Sequence, residues 1–167
     1  MRLFIAIPLS EGIRDGLSEV QSYMRKHGVK GNYTKPENLH LTLAFIGEYP
    51  DPTFAYEVLN SVPFTPFSMR IEGFGSFGDL YWCGIGGNDG LLSYVKRLRR
   101  TLAENNIPFD GKKFSPYITL LRRAEYDRQR GFPGVAIPDL SMEVSGVPFM
   151  HLDRTKSGMV YTEISYD

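Results

Sequence analysis

Cysteine is nearly absent from this chain. Cys83 stands alone, which excludes an internal disulfide and any zinc site built from several thiolates. Net charge is absent as well: Lys+Arg and Asp+Glu are both 19 among 167 residues. No long-range field therefore draws the protein to nucleic acid or to an anionic membrane. Any contact with RNA must be local, at an end or a single phosphate, and not along an extended basic groove. No apolar run approaches the roughly 20 residues of a membrane span. The opening Met1-Arg2-Leu3-Phe4-Ile5-Ala6-Ile7-Pro8 is too short in apolar residues for a signal h-region and breaks at a proline. A soluble, cytoplasmic protein is expected.

What is present is ordinary in amount: 42% hydrophobic and 23% charged residues, enough for one core shared by one domain or two small lobes. Leu3 to Ile7 reads as a buried strand stopped by Pro8. Ser10 and Glu11 open a helix whose apolar residues Ile13, Leu17, Val20 and Met24 fall at helical spacing, and Gly28 ends it. Tyr33-Thr34 reads as a short strand, Pro36-Glu37-Asn38 as a turn, and Leu39 to Ile46 as a strand. Asp51-Pro52 caps a second helix running to about Leu59.

Phe67 to Ile71 and Leu80 to Ile85 read as strands. Between them Gly73-Phe74-Gly75-Ser76-Phe77-Gly78 lacks the Lys-Ser/Thr ending of a phosphate-binding loop, so a bend is expected there. Asp89 caps a third helix with Leu91, Leu92, Val95, Leu98 and Leu102 on one face and Lys96, Arg97, Arg99 and Arg100 on the other, a solvated basic face. Phe114 to Leu121 is another strand, followed by a polar turn from Tyr126 to Arg130. Leu140 to Met150 and Met159 to Ile164 read as a closing strand pair joined by the charged segment His151 to Gly158. Short connections favour antiparallel pairing in an α+β fold over a doubly wound sheet.

Two strands carry chemistry. In Leu39-His40-Leu41-Thr42-Leu43 and Pro116-Tyr117-Ile118-Thr119-Leu120, a threonine follows a ring-bearing polar residue by two positions. Residues i and i+2 of a strand share a face. His40 and Thr42 therefore point together, as do Tyr117 and Thr119. Brought across a cleft, they would surround a phosphate with two hydroxyls, an imidazole and a phenol. His27 reads as a helix C-terminal residue favoured by the dipole, and His151 as a loop residue. Tyr33, Lys35 and Phe45 are candidate rim contacts.

The segments Leu3 to Ile7, Glu37 to Glu48 and Phe114 to Arg122, with the Tyr81 to Ile85 strand and the Val144 to Tyr161 region, resemble the bacterial and archaeal RNA 2′,3′-cyclic phosphodiesterases. These are also called 2′-5′ RNA ligases and belong to the two-histidine phosphoesterase superfamily. The resemblance spans nearly the whole chain. It implies one bilobal domain over residues 1–167, with two pseudo-symmetric lobes, each an antiparallel sheet with helices outside, around a central cleft. It implies catalytic roles for the residues at 40 and 117, phosphate binding by Thr42 and Thr119, and a further phosphate ligand in Arg122. In a regular strand Arg122 faces away from Thr119, so it needs a bulge or a strand end to reach the anion. No metal and no cofactor is expected, the partners are RNA ends or small cyclic nucleotides, and the chain is expected to act as a monomer.

The departure is Tyr117, where the family carries its second histidine. An imidazole with a pKa near 6.5 serves as acid or base at neutral pH, whereas a phenol near 10 donates a proton and scarcely accepts one. A nearby cation such as Lys112, Lys113 or Arg122 would ease ionisation. Three readings follow. One is a metal-free phosphodiesterase that opens cyclic phosphate ends to a 2′-phosphate, with activity lowered by Tyr117. Another is a non-catalytic binder of phosphorylated RNA ends or nucleotides. The third is an enzyme acting on a different cyclic or 2′-5′-linked nucleotide.

Overall fold

The computed structural model describes residues 2–86, 89–156 and 158–166. Its most apolar strand, β1 (Arg2–Pro8), is buried on both faces from Leu3 to Ile7. A strand buried on both sides must lie inside a sheet. β1 accordingly pairs antiparallel with β3 (His40–Glu48) on one side and β8 (Phe149–Thr155) on the other, and β9 (Gly158–Ile164) closes the order β3-β1-β8-β9. The second sheet has the order β2-β6-β5-β4-β7: β2 (Lys30–Tyr33), β6 (Tyr117–Glu125), β5 (Leu80–Ile85), β4 (Phe67–Phe77) and β7 (Ser141–Val144). Every pairing in both sheets is antiparallel.

Among the described residues, three α-helices cover these sheets. The Ser10 hydroxyl accepts from the Ile13 N–H at 3.3 Å and starts α1 (Glu11–Lys26), and Arg25 and Lys26 complement the dipole at its end. Ile13, Leu17, Val20 and Met24 are buried as their spacing predicts, each worth about 1.5–3 kcal/mol relative to exposure. Asp51 caps α2 (Pro52–Ser61) through the Phe54 N–H. Asp89, expected as a cap, is instead helical, within α3 (Asp89–Glu104); Gly87 and Asn88 lie outside the described residues. α1 packs on β6, α3 on β3 and β4, and α2 on α3. Among the described residues no helix is long and apolar enough to cross a membrane.

Three expectations are corrected. The run from Leu140 to Met150 is not one strand: it divides at residues 145–148, sending β7 to the second sheet and β8 to the first. Pro148 has no N–H for a ladder, and Gly146 lacks the side chain that would favour one, so the chain crosses between sheets there. His151, read as a loop residue, lies within β8, paired with Leu3 and Thr162. Its charged neighbourhood belongs to a hairpin whose β9 is a sheet edge. The glycine-aromatic segment is not a bend either. β4 runs through it to Phe77 with one extra residue between Ile71 and Phe74, where Gly73 adopts φ +91°, and the reversal comes at Gly78 and Asp79.

Candidate active site

The two sheets face each other across a cleft of about 360 Å³. All five predicted site residues, His40, Thr42, Tyr117, Thr119 and Arg122, line it. β3 supplies the first pair and β6 the others, each through the two-residue alternation of a strand.

The same irregularity follows each threonine. Between β1 and β3 the register jumps from Ala6↔Thr42 to Ile5↔Ala44, leaving Leu43 without a partner. Between β5 and β6 it jumps from Trp82↔Thr119 to Tyr81↔Leu121, leaving Leu120 without one. One extra residue inverts the alternation. Leu43 and Ala44 are therefore both buried, as are Leu120 and Leu121. The residue three after each threonine returns to the cleft: Phe45 in one lobe and Arg122 in the other. The β6 bulge is what carries Arg122 round to the face of Thr119.

A helix side chain caps each bulge carbonyl. Arg99 of α3 donates to the Leu43 carbonyl from Nε and Nη2 at 3.1 and 3.0 Å, and to the Lys112 carbonyl at 2.7 Å. Gln21 of α1, only 2% exposed, donates to the Leu120 and Thr34 carbonyls at 3.0 and 2.9 Å. This overturns the reading of Arg99 as part of a solvated basic face. It closes the open edge of β3, together with the Asp110 N–H on the Phe45 carbonyl at 2.8 Å. Gln21→Leu keeps the volume but strips donors from buried carbonyls. It is expected to cost about 1–3 kcal/mol, measured by denaturant unfolding. A variant as stable as the parent would show that these bonds are not what holds α1 on β6.

His40 is held on both ring nitrogens. Nδ1 lies 2.6 Å from the Asn38 carbonyl, which can only accept, so Nδ1 carries the proton and Nε2 is left as a lone pair in the neutral ring. Thr42 Oγ1 lies 3.0 Å from Nε2 and donates to it. Asn38 is buried, and its amide donates to the Met159 carbonyl at 2.9 Å, tying the 3-10 turn Pro36–Asn38 to β9. Burial pushes the His40 pKa below 6.5, with the Asn38 bond opposing. The imidazole is thus neutral at pH 7. Tyr161 meets it edge-on at 4.6 Å and Phe4 packs at 5.5 Å.

Tyr161, Phe4, Asn38 and Arg99 are cleft residues that the sequence did not disclose. Tyr161 belongs to β9, which reaches β3 only by way of β8 and β1. Burial raises its pKa and the nearby Arg122 lowers it. Among the rim candidates Phe45 lines the cleft; Tyr33 and Lys35 do not, and the Tyr33 hydroxyl donates to the Val29 carbonyl. His27 and His151 lie outside it. Lys112, Lys113, Arg99 and Arg122 line the cleft against a single carboxylate, Asp110. A chain without net charge therefore concentrates positive charge here, where an anion would sit.

The family model described as LigT like Phosphoesterase matches residues 7–81. An RNA 2′,3′-cyclic phosphodiesterase of Thermus thermophilus is 32% identical over 97% of this chain and 87% of its own length. One from Thermotoga maritima is 28% identical over 96% and 91%. Among solved structures, TT0787 of Thermus thermophilus superposes with a TM-score of 0.76 at 30% identity, covering 99% of this chain and 96% of the other. Escherichia coli LigT complexed with 3′-AMP superposes at 0.80 with 24% identity, over 98% and 95%. With two antiparallel sheets meeting at one cleft and likeness running the length of both chains, this protein belongs to the LigT-like phosphoesterase family.

Proposed function

We propose that this protein is an RNA 2′,3′-cyclic phosphodiesterase that opens terminal cyclic phosphates to a 2′-phosphate and a free 3′-hydroxyl. The observation that carries this reading is the fixed His40 ring: a neutral imidazole whose Nε2 lone pair faces a cationic cleft bearing a second hydroxyl strand. The names of the relatives support the same substrate class.

In this mechanism the threonine hydroxyls and Arg122 hold the non-bridging phosphate oxygens. On binding, Thr42 turns its proton to the anion and releases Nε2. His40 then takes a proton from water as its oxygen attacks phosphorus. The bond from phosphorus to O3′ breaks, and O3′ receives the Tyr117 phenolic proton. The imidazolium proton returns to the phenolate through solvent, so both groups regain their starting states. Positive charge around the cleft stabilises the extra negative charge of the pentavalent transition state.

Incubation with a nucleoside 2′,3′-cyclic phosphate and with an RNA carrying a cyclic phosphate end tests the reading. Release of the 2′-phosphate is the expected result. Calorimetric heat of binding without any product would overturn it in favour of a non-catalytic binder of phosphorylated ends.

A further inference from the structure

Beyond the cleft wall, the end of β4 carries an exposed ring. Phe77 is 52% exposed, and it is not part of the cleft lining. Its ring meets Tyr117 edge-on at 5.2 Å and 84°, and lies against Trp82 at 5.4 Å and 39°. Trp82 in turn lies 6.3 Å from Tyr117. The indole is seated on Gly75, opposite it in the ladder: a Cβ at that position would come within 2.5 Å of the ring, so only glycine admits this pose. Three aromatic rings thus run outward from the wall of the cleft, and the outermost presents itself to solvent.

We infer that Phe77 and Trp82 form a stacking platform for the nucleobase next to the terminal nucleotide of a single-stranded RNA. This deepens the proposed function and rests on it, for it states that the substrate is an RNA end and not a free mononucleotide. Three observations favour a base as occupant. The platform is continuous with the phosphate-binding wall through Tyr117, so a chain anchored there extends over it. Its outermost ring, Phe77, is aromatic and exposed, braced by Trp82 at 39°, and every base has a π-face to stack on such a ring, which makes the contact tolerant of sequence. The cations Lys112 and Lys113 line the adjoining cleft with Tyr117, where backbone phosphate would lie. A chain with no net charge needs such a local grip to hold RNA at all.

The experiment compares kcat/KM for two substrates, an oligoribonucleotide and a mononucleoside, each with a 2′,3′-cyclic phosphate. In Phe77→Ala the preference for the oligoribonucleotide is expected to fall about tenfold, as the loss of one base stack predicts. Phe77→Trp is expected to restore it. An unchanged preference, including an equal loss on both substrates from a disturbed Tyr117, would overturn the platform. A second arm needs no turnover: anisotropy of a labelled oligoribonucleotide with a 3′-phosphate should show about tenfold weaker binding to Phe77→Ala. Failure of the parent protein to hydrolyse either cyclic substrate would strike the proposed function, while this binding arm would still decide the platform. Equal binding by parent and variant would overturn it.

Discussion

His40→Ala is expected to lower kcat on a 2′,3′-cyclic phosphate by about 10²–10⁴-fold, the usual contribution of one positioned acid–base group. The reason lies in the tautomer. The Asn38 carbonyl at Nδ1 leaves Nε2 as the proton acceptor, and no second imidazole lines the cleft to replace it. Activity of the parent protein should fall as pH drops through the His40 pKa, which burial sets below 6.5. The acid limb of kcat/KM should therefore have its midpoint below that value. The same shift acts on stability. An unfolded His40 binds a proton more readily than the folded one, so its contribution is present above pH 6.5 and declines as pH falls below it. Wild-type rates in His40→Ala, or an acid limb centred above 6.5, would remove His40 from the role of base.

Tyr117→His should act in the opposite direction, raising turnover at least about tenfold. A phenol is a weaker acid toward a leaving oxygen than an imidazolium, whereas an imidazole exchanges protons near neutral pH in both directions. The imidazole is also smaller, so it fits beside Phe77 and Trp82 without overpacking. Steady-state kinetics on the same substrate as for His40→Ala would measure the change. An equal or lower rate would mean that the phenol is suited to its task here and is not a weakened histidine.

Much of the candidate site's face was legible from local periodicity. A strand alternates every two residues, so the pairing of His40 with Thr42 and of Tyr117 with Thr119 needed no knowledge of the fold. The first turn of α1 was equally readable, because a serine cap and an apolar stripe act within a few residues of each other. Other features were hidden for a definite reason. Arg99 read as part of a solvated basic face and Gln21 drew no reading, yet each donates to a carbonyl that a bulge releases, 56 and 99 residues away in the chain. Nothing local marks the partner. Tyr161 likewise reaches His40 only because β8 and β9 join the sheet of β1. The two halves of the Leu140 to Met150 segment lie in different sheets, one beside β4 and the other beside β1, partners far away in the sequence.

By itself, then, the sequence determined which side chains share a face, where α1 begins, and that a lone Cys83 forms no internal disulfide. Those are consequences of backbone period and composition. Only the tertiary structure decided that Arg122 turns back beside Thr119, that Asn38 sets the His40 tautomer, and that Phe77 stands one ring beyond the cleft. Each of these depends on strand register. Register is settled by burying both faces of β1 and the core face of β6 at once, a condition that no short stretch of chain can satisfy alone.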